Sequence, residues 1–152
     1  MRLATFGAKA YPDATFTLRL SYGTVSGYQE NGRTIAPFTT YAGLYERAGQ
    51  HEKEPAFALP TRWILGKEKL KLETPFNLVT TNDIIGGNSG SPVFNRNREI
   101  TGLVFDGNIQ SLVGDFVYDV RQNRTVAVDS RAITEALDKI YDAKELLAEL
   151  TQ

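Results

Sequence analysis

A chain of 152 residues suits one compact domain, since folding at about this size removes roughly 68 to 70% of the unfolded surface from water, and 41% hydrophobic with 23% charged residues excludes the apolar-poor signature of disorder. Seventeen basic against 18 acidic side chains, a net charge of -1, generate no field that would gather nucleic acid or an anionic membrane. The absence of cysteine excludes disulfides and thiolate metal sites, no stretch approaches the roughly 20 apolar residues of a membrane span, and MRLATFGAKAYPDA lacks an apolar signal-peptide core.

Residues 15 to 22, TFTLRLSY, alternate Phe16, Leu18, Leu20 and Tyr22 with polar residues, which predicts a half-buried strand that Val25 and Tyr28 extend. Asn31-Gly32, between Tyr28 and Ile35, predicts a two-residue hairpin turn, because both central positions favour positive φ. Residues 36 to 75 are interrupted by Pro37, Pro55, Pro60 and Pro75 and read as the least structured stretch, with RAGQHEKEP an exposed charged loop and GKEKLKLE a solvated face. Short strands are predicted at residues 76 to 80, 91 to 94, 99 to 105, 116 to 119 and 125 to 128, separated by Gly, Asn and Asp turns. After Asp129 or Ser130 as a cap, Ile133, Leu137 and Ile140, then Leu146, Leu147 and Leu150, predict a terminal helix. The order of elements implies a mainly β, antiparallel barrel or sandwich over residues 1 to 129, with a helical segment over residues 130 to 152 packed on it.

The chemistry concentrates in DIIGGNSGSPVFN, residues 83 to 95. An acyl-transfer nucleophile needs a hydroxyl on a sharp turn, free of flanking bulk, with backbone N–H groups converging where a carbonyl oxygen becomes negative. Ser89 meets the first need; Gly87 allows its own N–H and that of Ser89 to aim at one point, and Gly90 leaves room beside the hydroxyl. A phosphate-binding loop would require a lysine before the hydroxyl residue and a following helix, and neither is present. A plain hairpin turn remains the alternative for the glycines taken alone.

GGNSGSPVFN resembles the nucleophile segment of chymotrypsin-fold peptidases. ITGLVFDGNIQSLVGDFVYD, VAVDSRAI and the terminal helix, with YPDATFTLRLSYGTVSGY and FTTYAGLYE upstream, resemble the C-terminal end of serine peptidase family 46, the bacterial dipeptidyl peptidases of the 7 and 11 type. That resemblance implies a chymotrypsin-type β-barrel, the second of two, with the catalytic His and Asp on the first barrel and a large helical domain inserted before the second. The partners it implies are a peptide substrate and those missing parts of the same protein, with a homodimeric parent residing in the periplasm or at the cell surface. No cofactor and no metal are expected.

The same resemblance places Gly107, eighteen positions after Ser89, in the primary specificity pocket, where family members carry Gly for hydrophobic and Arg for acidic substrate residues. A glycine is expected to leave an open apolar volume, which favours hydrophobic residues at the cleavage point. By resemblance Asp106 holds the free α-amino group of the substrate and Phe105 lines the same region; Asp-Gly is also a favoured turn. Asp83 sits where trypsin-like enzymes keep a pocket aspartate and is assigned a structural role, and Asn88 replaces the aspartate that pairs with a new N-terminus on zymogen activation. His51, the sole histidine, reads as an exposed loop residue rather than a general base, so the chain alone is expected to be inert. Asp115, Asp119 and Asp129 fit no calcium-loop spacing. Two other readings stand beside this one: a glutamyl-endopeptidase-like protease, which would need a pocket histidine after Ser89, and a noncatalytic β-barrel binding module.

Overall fold

The computed structural model describes residues 18 to 114 and 116 to 151. Strands β1 (Tyr28–Glu30) and β2 (Arg33–Ile35) form the expected hairpin, with Asn31 and Gly32 at φ of 50° and 76°, the pair of left-handed residues a type I′ turn demands. Strand β3 (Phe38–Thr40) leads into helix α1 (Tyr41–Gln50), and α2 (Thr61–Gly66) follows. Strands β4 (Pro75–Thr80), β5 (Pro92–Phe94), β6 (Ile100–Gly107) and β7 (Thr125–Asp129) then precede helices α3 (Ser130–Lys139) and α4 (Lys144–Leu150).

The main sheet runs β3-β4-β7-β6-β5 with every neighbour antiparallel, so the fold is mainly β and closes in helix, as the pattern of elements implied, with α1 and α2 added between β3 and β4. Strand β7 is central, and its period shows it: Thr125, Ala127 and Asp129 are buried while Val126 and Val128 are only partly so. Gly102 of β6 is needed at this crossing, since a Cβ there would lie 2.5 Å from Val128 O.

Residues 36 to 75 are more ordered than their prolines suggested. Thr40 caps α1 by accepting the Gly43 N–H, and Pro60 stands directly before α2, where its missing N–H costs nothing. The two helices, α3 and β4 enclose a core of Tyr41, Leu70, Ala132 and Ile140, flanked by Tyr45, Trp63, Leu72 and Phe76. Tyr41, fully buried, donates its hydroxyl to Ala132 O at 2.7 Å. Glu135 of α3 closes the same unit by accepting the Lys71 N–H and the Thr74 hydroxyl, each at 2.5 Å. The lysines of GKEKLKLE are solvent-exposed as expected, whereas Leu70 between them is buried.

Three further expectations are corrected. The strand predicted from Thr15 begins outside the described residues. Its described part, residues 18 to 22, is not a strand, and contact with β4 starts only at the Val25–Thr80 bridge. Residues 116 to 119 are not a strand either: a 3₁₀ turn, Ile109–Val113, precedes them, and Asp119 bends the chain by accepting the Arg121 N–H on its side chain and those of Gln122 and Asn123 on its carbonyl. The terminal helix is two helices, because Asp142 takes a φ of 50° and turns the chain so that Ala143 N–H returns to Leu137 O. No helix among the described residues is long and apolar enough to cross a membrane.

Candidate active site

The turn between β4 and β5 is built around Asn88. Its N–H and its amide Nδ2 both donate to Ile85 O, at 3.2 and 2.7 Å, and its carbonyl accepts the Ser91 N–H at 2.9 Å. Gly87 and Gly90 bracket it at φ of 100° and 85°, values that a side chain would strain. Ser89 is exposed at the crest. Among the described residues neither Gly87 nor Ser89 donates its N–H to an acceptor, while the N–H of Asn88 between them is consumed. The turn therefore presents two free donors beside one hydroxyl.

The adjacent strand carries the other predicted residues. Gly90 N–H donates to Val104 O at 2.7 Å and Val104 N–H to Ser91 O at 2.9 Å, extending the β5–β6 ladder to the edge of the turn. On the far side of β6, Val104 pairs with Ala127 and Asp106 with Val126, so Phe105 is the extra residue of a bulge and remains about half exposed. The Asp106 carboxylate accepts the Gly107 N–H at 2.8 Å through one oxygen. The structure thus gathers Gly87, Ser89, Phe105, Asp106 and Gly107 on two connected segments.

The volume beside Gly107 is not the open space expected there. A Cβ at this position would lie 2.2 Å from Ser111 Oγ and 3.3 Å from Ser111 Cβ. Three residues that sequence reasoning missed hold this arrangement. Asn108 donates its N–H to Arg124 O and accepts the Arg124 N–H on Oδ1, both at 2.9 Å, and its Nδ2 donates to Gln122 O at 2.7 Å. Arg124, 4% exposed, aims its guanidinium at the carbonyls of Ser26, Gly27, Val120 and Asn123 at 2.7 to 2.8 Å and lies over the Tyr28 ring. Ser111 in turn donates its hydroxyl to Asn108 O at 2.6 Å. No local pattern in the sequence announces such partners, because the carbonyls they serve are up to 98 residues away.

The remaining candidates are engaged elsewhere. His51 Nδ1 lies 2.7 Å from Glu54 Oε1 and the ring stacks on Phe57 at 4.3 Å; it closes α1 as a half-buried residue, not a freely exposed one. Asp83 accepts the Ser21 hydroxyl through its carbonyl, and its side chain lines a cavity of about 420 Å³ with Tyr22, Ile85, Asn88 and Tyr118. Burial first, then the Asp83 charge, push the Tyr118 phenol upward. Asp119 forks with the Arg121 guanidinium, whose hydrogen bonds pull its carboxyl down to about 2, and Asp129 pairs with Arg131. Asp115 lies outside the described residues, and no group of three or more His, Asp or Glu among the described ones could hold a metal.

The family model for peptidase S46 matches residues 1 to 152, the entire chain. The chain belongs to the peptidase S46 family. Among its S46 relatives, dipeptidyl-peptidase 7 of Phocaeicola vulgatus is 40% identical over 149 residues, covering 92% of this chain and 20% of that protein. An Asp/Glu-specific dipeptidyl-peptidase of Shewanella putrefaciens is 34% identical over 168 residues, covering 92% and 23%. A crystal structure of Porphyromonas endodontalis DPP11 in complex with the dipeptide Arg-Glu superposes with a TM-score of 0.82 at 29% identity, over 98% of this chain and 22% of that one. The chain spans about one fifth of the length of the S46 relatives it matches.

Proposed function

We propose that this chain supplies the nucleophile and part of the substrate cleft of a serine dipeptidyl peptidase that releases dipeptides from peptide N-termini. The observation that carries the reading is Ser89, exposed on a turn whose Gly87 and Ser89 N–H groups have no acceptor among the described residues, in an S46 chain whose relatives are named dipeptidyl-peptidases. In this reading Ser89 Oγ attacks the peptide carbonyl and passes its proton to an imidazole on the preceding part of the protein. The two N–H groups receive the developing oxyanion, the departing amine takes the proton, and water then hydrolyses the acyl-serine. The preceding part would complete a chymotrypsin-type double barrel.

Asp106 keeps one carboxylate oxygen on Gly107 N–H and has a second for the α-ammonium of the substrate, a charge-assisted contact that acts as a ruler for dipeptides. A preference for hydrophobic residues at the cleavage point rests on glycine in place of arginine at position 107, which leaves no charge there to meet an acidic side chain, and on the 40% identity to a dipeptidyl-peptidase 7. The glutamyl-endopeptidase alternative lacks its pocket histidine, since the single His51 precedes Ser89 and is bound to Glu54. For the same reason the chain by itself is inert: a serine without a proton acceptor is a weak nucleophile at neutral pH. Residence in the periplasm or at the cell surface, and a homodimeric parent, belong to the same proposal.

The test is labelling of the full-length enzyme by a fluorophosphonate, with peptide mapping of the adduct. The label is expected on Ser89, and Ser89→Ala abolishes both labelling and dipeptide release. Retained release in the alanine variant would sink the assignment and leave the noncatalytic module as the reading.

A further inference from the structure

We infer that Ser111 is a second specificity-determining residue, sterically coupled to position 107, so that a side chain at 107 is accommodated only at the expense of the hydrogen bond that holds Ser111 in place. This inference rests on the proposed peptidase reading, in which residue 107 faces the substrate residue at the cleavage point.

A Cβ added at Gly107 would lie 2.2 Å from Ser111 Oγ, a separation that real side chains do not show. Rotation of the serine removes the 2.2 Å overlap only by forfeiting the 2.6 Å bond from Oγ to Asn108 O, and it leaves Ser111 Cβ 3.3 Å away, still a few tenths of an ångström too close. Retreat of the turn is blocked too. Ser111 N–H is held by Asn108 O at 2.9 Å, Ser111 O holds Gly114 N–H at 2.8 Å, and Asn108 is fastened on both backbone and side chain to buried Arg124 and its neighbour Gln122. Glycine at 107 and serine at 111 are therefore one steric unit: the serine occupies the space that a longer specificity residue would cross. A chain that carried Arg at 107 to meet an acidic substrate would need that space vacated. Discrimination by such a pocket follows from whether its buried polar group finds a partner, which an Arg forced off line by Ser111 would not.

The experiment compares the full-length enzyme as four forms, unchanged, Gly107→Arg, Ser111→Gly and the double variant, on dipeptide substrates with Leu or Asp at the cleavage point. The double variant is expected to exceed Gly107→Arg in its Asp-to-Leu ratio of kcat/KM by about tenfold or more. Equal ratios in those two forms overturn the inference. Folding of the double but not of the single variant supports it. If neither folds, melting of Gly107→Ala alone and with Ser111→Gly decides: the drop in Tm caused by alanine shrinks in the glycine background if the two positions are coupled, and equal drops overturn the inference. The melting cycle reads the steric unit whether or not Ser89 is the nucleophile, so its failure is distinct from failure of the peptidase reading.

Discussion

Gly90 and Val104 are joined by a 2.7 Å backbone hydrogen bond that ties the residue after Ser89 to the strand carrying Phe105, Asp106 and Gly107. The turn carrying the hydroxyl and the strand carrying these three residues are thus one hydrogen-bonded frame. A bulge begins at the next residue, so the strand bends just where its pairing to β5 ends and Phe105 is released toward solvent. A rigid turn on one side and a re-aimed side chain on the other is the arrangement a cleft between two segments requires.

Gly87→Ala tests the turn. At a φ of 100° alanine is strained by about 1 to 3 kcal/mol, and relief of that strain rotates the N–H away from its aim. In the full-length enzyme kcat is expected to fall by about 10² to 10³ with KM nearly unchanged, because the contact exists only in the transition state. Unchanged kcat in steady-state assays removes Gly87 from the oxyanion site.

Asp106→Asn tests the ruler. Removing a charge-assisted contact of about 1.5 to 3 kcal/mol is expected to lower kcat/KM for free N-terminal peptides about tenfold or more. An N-acetylated peptide, with no ammonium to bind, should show no such loss. Equal losses on the two substrates would assign Asp106 to the structure of its own turn.

Tyr41 sets an alkaline limit. Burial, with Glu135 nearby, holds its phenol well above the usual tyrosine value of 10.0, so the folded state keeps it neutral where the unfolded chain would ionise. The stability from this group is present below pH 10 and is lost as pH climbs from there toward the raised folded value. Tyr41→Phe should flatten that alkaline decline in urea unfolding curves while costing about 1 to 3 kcal/mol at neutral pH, since Ala132 O loses its donor.

Asp129 anchors α3. Its buried carboxylate accepts the Arg131 N–H at 2.9 Å and the Arg131 guanidinium at 2.7 and 2.8 Å. Asp129→Ala is expected to cost about 1 to 2 kcal/mol, and Asp129→Asn less, because the amide oxygen still caps the helix. Urea midpoints of the two variants give the comparison, and equal losses would mean that the charge, not the cap, carries the effect.

The hairpin at Asn31-Gly32 and the strands around residues 76 to 80, 91 to 94, 99 to 105 and 125 to 128 were legible because local turn chemistry and strand composition agree with the final pairing. Ser89 and its glycines were legible for the same reason: the turn is made by neighbours in sequence. Helix α1 was hidden because Gly43, Gly49 and the charges after it lower local propensity, and its burial comes from Trp63, Phe76 and Ala132 far along the chain. The strand expected at residues 116 to 119 yielded to Asp119, whose bonds to Arg121, Gln122 and Asn123 favour a bend. Ser111 and Arg124 acquire their roles only through contacts that no periodicity encodes.

The position of β7 between β4 and β6 has a consequence for the emerging polypeptide. Strand β4 leaves the ribosome some 45 residues before the neighbour that will cover one of its edges, and Arg124 reaches back 98 residues to Ser26. Until that late segment arrives, an apolar ribbon with open hydrogen-bonding groups is on offer to any other nascent chain. Assembly of this sheet is therefore gated by the arrival of Thr125–Asp129, and slow translation upstream of Thr125 would favour aggregation over assembly.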